Sequence, residues 1–175
     1  EANNTSLYVT LEPCSHLGKT PPCADALIKA GVKKVIIAML DPNPLVSGRG
    51  VKMLQDANIQ VEVGLLEDEA SELNRGFVKR MRTGMPFVTS KIAMSLDGRT
   101  AMKNGESKWI TSDAARKDAH KLRSENQAIM TGSGTIINDN PMMTVRLNEI
   151  DSNPLRVIID SGNVINDKSL NIFSS

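Results

Sequence analysis

Two cysteines, Cys14 and Cys23, with eight residues between them, are the side chains of this chain with the plainest chemical capacity. A thiolate binds zinc at about 2.3 Å, and a catalytic zinc takes three protein ligands and a water, so the pair supplies at most two of the three. Two cysteines among 175 residues make no disulfide framework, and in a reducing compartment a close pair is more often a metal or catalytic feature. Two small buried hydrophobes are the plain alternative. Further along, Gly132-Ser133-Gly134-Thr135 offers small residues whose N–H groups, at a helix start, could seat a phosphate. A flexible loop has the same composition. Arg123 and Arg146 carry guanidinium forks that grip phosphate two-pronged, although a solvated helix face or a surface ion pair would use the same residues. Trp109 is the only tryptophan, and its plain role is a core or interface anchor.

These groups need a scaffold. The apolar run Leu7 to Leu11 reads as a buried strand that stops at Pro13, which puts Cys14 just past a strand end. Ala24 to Ala30 has good helix formers and ends at Gly31 as a C-terminal cap, so Cys23 falls at the helix start, and both cysteines are expected close to helix N-termini, where backbone dipoles favour a thiolate. Val35 to Met39 is a second buried strand, and Gly50 to Ala57 followed by Ile59 to Val63 repeats the alternation. This predicts an α/β layer fold with a largely parallel sheet. One helix follows, with Glu67, Asp68 and Glu69 in its first turn, Lys79, Arg80 and Arg82 in its last, and Ala70, Leu73 and Phe77 on one face. Gly84 and Pro86 end it, and a strand over Phe87 to Met94 opens a second α/β series, with the domain boundary near Thr83 to Pro86. Then come a helix from Asp113 to Ser124 with Ser112 as N-cap, a strand at Ala128 to Thr131 and another at Arg156 to Asp160. No internal repeat or low-complexity tract is evident.

Zinc deaminases that act on bases combine a His-x-Glu element with a later Pro-Cys and a second cysteine, usually two residues on. Pro13-Cys14 fits the later part with a wider spacing. The segment TLEPCSHLGKTPPC, residues 10–23, closely resembles the deaminase motif of the bifunctional riboflavin-biosynthesis deaminase/reductase family, in which this spacing is normal. The resemblance runs on through DPNPLVSGRG (41–50), LNRGFVKRMRTGMPFV (73–88), KIAMSLDGRTAMKNGESKWIT (91–111) and NDNPMMTVR (138–146). It implies a cytidine-deaminase-like domain over 1–84 followed by a dihydrofolate-reductase-like domain over 85–175. It also implies zinc on Cys14 and Cys23, and hydrolytic deamination of a diaminopyrimidinone ribosylamino 5′-phosphate. The family's His-x-Glu element lies upstream of the first strand and its reductase continues beyond Ser175, so the expectation is a fragment holding part of each active site. Glu12 could substitute as base only by proximity, because the family's proton shuttle belongs to that upstream element. His16, two residues after Cys14 in a tight loop, is expected to touch substrate rather than complete the zinc site. Asn43 and the loop 16–19 are further candidates for holding ring and phosphate, or plain turn residues.

No G-x-G-x-x-G follows any strand, so a Rossmann site has no support. The resemblance instead implies that NADPH reduces the opened ribose of the deaminated product to a ribityl chain. Matched to the family's motifs, Ala93, Trp109, Thr135, Asp139 and Ser161 become cofactor contacts. Ser107, Arg123, Met143 and Arg146 become substrate contacts. Lys91, at the start of KIAMSLDG, is a weaker candidate near the reacting carbons, and a snorkelling surface lysine would look the same.

Composition narrows the partners. Lys+Arg number 21 against 20 Asp+Glu, a formal charge of +1 that gives no reason to expect a nucleic acid. No apolar run is long enough to cross a membrane and the first residues lack an export signal, which points to the cytoplasm. A small phosphorylated pyrimidine is the expected partner, and a homo-oligomer stays open. Two other readings remain: a zinc deaminase of free nucleosides or nucleic-acid bases, and a non-catalytic zinc- or nucleotide-binding module.

Overall fold

The apolar runs of the first half become a three-stranded sheet, order β1-β2-β3, in which every pairing is parallel. The computed structural model describes residues 2–148, 150 and 153–174. It divides into two compact units, Glu1–Thr89 and Ser90–Ser175. In the first unit, β1 (Ser6–Leu11) pairs with β2 (Lys34–Met39) through Leu7↔Val35 and Val9↔Ile37, and β2 pairs with β3 (Gln60–Val63) through Val35↔Val61. Parallel strands need long crossovers, supplied here by α1 (Cys23–Lys29) and α2 (Arg49–Asp56). The central β2 is apolar almost throughout because neighbours cover most of it. Val35 and Ile37 pack with Ala24 of α1 and Leu54 of α2 in one core, and Met39 joins Ala70 and Val78 in another.

Both crossover helices stop by a left-handed turn. After α1, Gly31 at φ +71° lets its own N–H reach Ile28 O and the Val32 N–H reach Leu27 O. The expected cap is therefore present, with Ala30 in the cap position and Gly31 one residue beyond. Asn58 repeats the motif after α2 at φ +61°, sending its N–H to Gln55 O. The hydrophobic residues that follow, Val32 and Ile59, drop into the same core.

Two expectations for the next stretch are corrected. The single helix from Glu67 is two: α3 (Glu67–Leu73) and α4 (Arg75–Thr83), parted at Asn74. The Asn74 amide donates to Ala70 O (2.9 Å), and such a short polar side chain competes with helix bonding. The break changes the register of the buried face, so Ala70 and Val78 are buried while Leu73 is 74% exposed. The strand expected over Phe87 to Met94 has no ladder pairing among the described residues; Phe87 lies instead beneath Arg75 (4.8 Å to the ring centre) and Lys79 (5.9 Å), inside the first unit.

In the second unit, α5 (Asp113–Ser124) begins as its sequence dictates, with Ser112 Oγ accepting from the Ala115 N–H (3.3 Å). The parallel strands β4 (Ala128–Gly132) and β5 (Leu155–Ile159) follow, with α6 (Ser133–Asp139) leaving directly from the end of β4. Ile136 of α6, Met143 and Ile172 form the core beneath them. Among the described residues no helix is long and apolar enough to cross a membrane.

Candidate functional site

The eight-residue gap between the cysteines closes in space. Backbone pairing carries one residue past β1, where the Glu12 N–H donates to Met39 O (3.0 Å), and Pro13, with no N–H to give, ends it. Cys14 then meets the start of α1. A helix leaves its first N–H groups without partners, and Pro22 in the cap position offers no side-chain acceptor. Cys14 supplies both: its carbonyl accepts from the Ala24 N–H (3.1 Å) and its Sγ from the Cys23 N–H (3.2 Å). Both cysteines are free thiols. The Cys23 thiol is held above its ordinary pKa, first by its hydrogen bond with Cys14, then by burial and by the charge on Cys14.

Two adjacent soft donors suit zinc chemically and form half of a tetrahedral set. Among the described residues no group of three or more His, Cys, Asp or Glu gathers to hold a metal. His16 is exposed on the loop after Cys14. Glu12 is the reverse, buried at 4% exposure. Its carboxylate is saturated by four backbone N–H groups, from Asp41, Gly48, Gly50 and Val51, which leaves it badly suited to move protons. Asn43 lies in a local turn, its Oδ1 accepting from the Leu45 N–H (3.0 Å), as a loop-shaping residue would.

The second unit offers two further places. The ends of β4 and β5 lie side by side, Gly132 opposite Ile159, so Thr135 on α6 and Ser161 after β5 leave from the same end of the sheet, both exposed. Neither Gly132 nor Gly134 needs glycine for its backbone, and a Cβ at either would meet nothing within 4 Å. The bare backbone therefore faces open space, the room a ligand's phosphate would require. Asp160 braces this end: Val164 and Ile165 donate their N–H groups to its carboxylate, and these bonds, with smaller help from Ser133, hold its pKa below the ordinary range. The other place is basic. Arg123 of α5 donates to Thr144 O (3.1 Å), and the Arg146 N–H donates to His120 Nδ1 (3.2 Å). Beside them a cavity of about 620 Å³ is lined by Lys117, Lys121, Arg146 and Asn148, with Asp118 as its acid. Ala114, Leu147 and Ile150 complete the lining, and the excess of base over acid favours an anion there.

Residues 86–174 match the model of the RibD C-terminal domain, and residues 1–39, with both cysteines, match the cytidine and deoxycytidylate deaminase zinc-binding region. The chain belongs to the RibD family. It is 56% identical to the riboflavin biosynthesis protein RibD of Bacillus amyloliquefaciens, over 91% of this chain and 43% of that protein. Among solved structures, Acinetobacter baumannii RibD superposes with a TM-score of 0.88 at 53% identity, over 94% of this chain and 48% of the other. A diaminohydroxyphosphoribosylaminopyrimidine deaminase/5-amino-6-(5-phosphoribosylamino)uracil reductase from Thermotoga maritima superposes with a TM-score of 0.90 at 45% identity, over 96% and 47%. The chain thus spans less than half the length of these relatives.

Within this RibD chain the residues singled out from sequence separate into groups. Cys14 and Cys23 come together, as do Thr135 and Ser161 at one sheet end, and Arg123 and Arg146 at the loop over α5. Asp139 is exposed at the far end of α6, Ala93 and Ser107 are half-buried in loops, and Lys91 is exposed. Trp109 is 71% exposed, with the Arg116 guanidinium 4.2 Å above its ring. Arg116 is itself held by Thr111 O and Asp113. Met143 keeps its side chain in the core with Ile136 and Ile172, 7% exposed, which leaves its backbone, at φ +57°, as the part open to a contact.

Sequence reasoning missed Lys117, His120 and Lys121, whose three- and four-residue spacings set them on one stretch of helix surface. The His120 pKa is lowered, first by burial, then by Arg123 and Arg146. The folded state therefore favours the neutral ring, whose Nδ1 accepts from Arg146. As pH falls through the unperturbed histidine value of about 6.5, the unfolded chain takes up the proton first and stability is lost. Thermal unfolding followed from about pH 7.5 down to about 5.5 should show a fall that is shallower in His120→Gln. Parallel curves would show that His120 contributes nothing to it.

Proposed function

We propose that the full-length protein containing this chain deaminates 2,5-diamino-6-ribosylamino-4(3H)-pyrimidinone 5′-phosphate and then reduces its ribosyl group to ribityl with NADPH. The observation that carries this is the meeting of Cys14 and Cys23 inside the deaminase-type region of a chain whose other half matches the RibD C-terminal domain. Residues 1–84 would serve the first reaction and 85–175 the second.

Cys14 and Cys23 would hold the zinc together with a ligand from beyond the described residues. Zinc, when bound, lowers the pKa of water towards neutrality and so furnishes a nucleophile for hydrolysis. The exposed His16 borders this place and would contact the pyrimidine. In the second unit NADPH, when bound, supplies the hydride. Ala93, Trp109, Thr135, Asp139 and Ser161 would orient it, with the open backbone at Gly132 and Gly134 beside its phosphates. Arg123 and Arg146 would grip the substrate phosphate, Ser107 and the Met143 backbone would fix the sugar and ring, and Lys91 would stand near the reacting carbons. Free thiols and NADPH both suit a reducing cytoplasm.

The test is an assay of full-length protein for ammonia release from the phosphorylated diaminopyrimidine and for NADPH oxidation on the product. Turnover of cytidine in its place would overturn the reading. In the same assay Arg146→Ala should raise the reductase KM for substrate about 10- to 100-fold, the loss of one charge-assisted hydrogen bond, with the KM for NADPH within about twofold. Equal weakening of both would remove Arg146 from the phosphate site.

A further inference from the structure

The Glu12 carboxylate receives all four of its hydrogen bonds from backbone: Oε2 from Asp41 (3.1 Å) and Gly48 (3.0 Å), Oε1 from Gly50 (2.9 Å) and Val51 (3.2 Å). No lysine, arginine or histidine is among these partners, so peptide N–H groups alone offset the burial of a charge. Two of the donors, Gly50 and Val51, lie in the first turn of α2, a helix with no side-chain cap of its own. A helix that needed only a cap could take one locally, from serine or aspartate in the position held by Gly48. Here it comes instead from a residue two places before Cys14. The same carboxylate reaches the Asp41 N–H, two residues past β2, so one side chain ties the ends of two strands to the start of a helix.

The neighbour of Glu12 is pinned as well. Gly50 passes so close to Pro13 that a Cβ there would stand 2.0 Å from the Pro13 carbonyl oxygen. Glu12 and Pro13 are thus clamped to the start of α2, while the next residue, Cys14, uses its carbonyl and sulfur to hold the start of α1. We propose that Glu12 is a positioning residue of the metal site: by locking β1 to α2 it fixes where the Cys14 sulfur stands relative to that of Cys23. The inference rests on the reading that the two cysteines hold zinc. It assigns Glu12 no contact with substrate.

Glu12→Gln keeps the shape but replaces one acceptor oxygen by an NH₂ group that meets two N–H donors head-on. In full-length protein, competition with a chromogenic chelator should show zinc held about 10- to 100-fold more weakly, the usual effect of losing a group that orients a metal ligand. The cobalt-substituted protein should show a shifted ligand-field spectrum, measured at a temperature where circular dichroism shows it folded. Zinc affinity within about twofold of wild type with an unchanged cobalt spectrum, even if the melting temperature fell, would make Glu12 a fold residue only and overturn the proposal. Should Glu12→Gln fail to fold, Glu12→Asp decides: it keeps the charge but is too short for both donor pairs, so weaker zinc binding supports the proposal and wild-type affinity overturns it. A wild-type protein that binds no zinc would sink the metal-site reading itself, an outcome distinct from either.

Discussion

Cys14→Ser is expected to leave full-length protein folded and its reductase unchanged while zinc is lost and deamination falls on the order of a thousandfold or more. The substitution is mild for the fold. The Cys14 sulfur accepts the Cys23 N–H at the start of α1, and a serine oxygen is among the preferred acceptors at a helix start. A serine hydroxyl does not ionise near neutral pH as a metal-bound thiol does, so the change removes a ligand and spares the cap. The residues proposed for the reductase lie in the other compact unit, which is why its turnover should be untouched. Metal content, ammonia release and NADPH oxidation on one preparation check all three. Loss of both activities in a folded protein would contradict separable sites, and unchanged deamination would contradict the metal.

How much of this could be read from the chain depended on whether the cause was local. The strand over Leu7 to Leu11, the buried β2, the Ser112 cap and the turn at Gly31 each follow from a few neighbouring residues, and they lie within a residue or two of where the sequence put them. The burial expected of the first strand is corrected: its residues alternate between exposed and half-buried, with Tyr8 68% exposed. Asn74 was legible in principle as a helix breaker, yet acid at one end and base at the other suited a single long helix. The segment after Pro86 has the composition of a strand, but a strand exists only against a partner, and pairing is not local information.

The proposed metal site was legible in its candidate ligands and illegible in what would hold them in place. Cys14 and Cys23 stand out by type and by the motif around them. Glu12, in the same motif, drew notice only as a spare base, because its partners are 29 to 39 residues away and all are backbone groups with no sequence signature. The basic surface of α5 was hidden differently: Lys117, His120 and Lys121 drew no notice in the sequence, and only the return of the chain at Arg146 turns that face into one side of a cavity. Met143 shows the converse, a residue matched by motif whose side chain the core claims.

Gly50→Ala is expected to destabilise the first unit by about 3 kcal/mol, at the upper end for overpacking, and so lower its melting temperature by roughly 10 °C or more. By helix propensity alone the change should help, since alanine in a helix is favoured over glycine by about 1 kcal/mol. Packing reverses the sign. Gly50 is fully in α2, and the added Cβ would stand 2.0 Å from the Pro13 carbonyl oxygen and 3.1 Å from Glu12 Oε1. The first obstacle is the backbone carbonyl of the buried Pro13, so either α2 moves outward and loosens its bonds to Glu12, or Pro13 moves and carries Cys14 with it. Deamination should therefore fall with stability. Gly76→Ala is the control: it lies in α4 of the same unit, where a Cβ meets nothing within 4 Å, so propensity acts alone and the variant should melt at or above wild type. If the two alanine variants melted alike, the close approach of α2 to Pro13 would be relaxed at little cost, and the clamp on Cys14 with it.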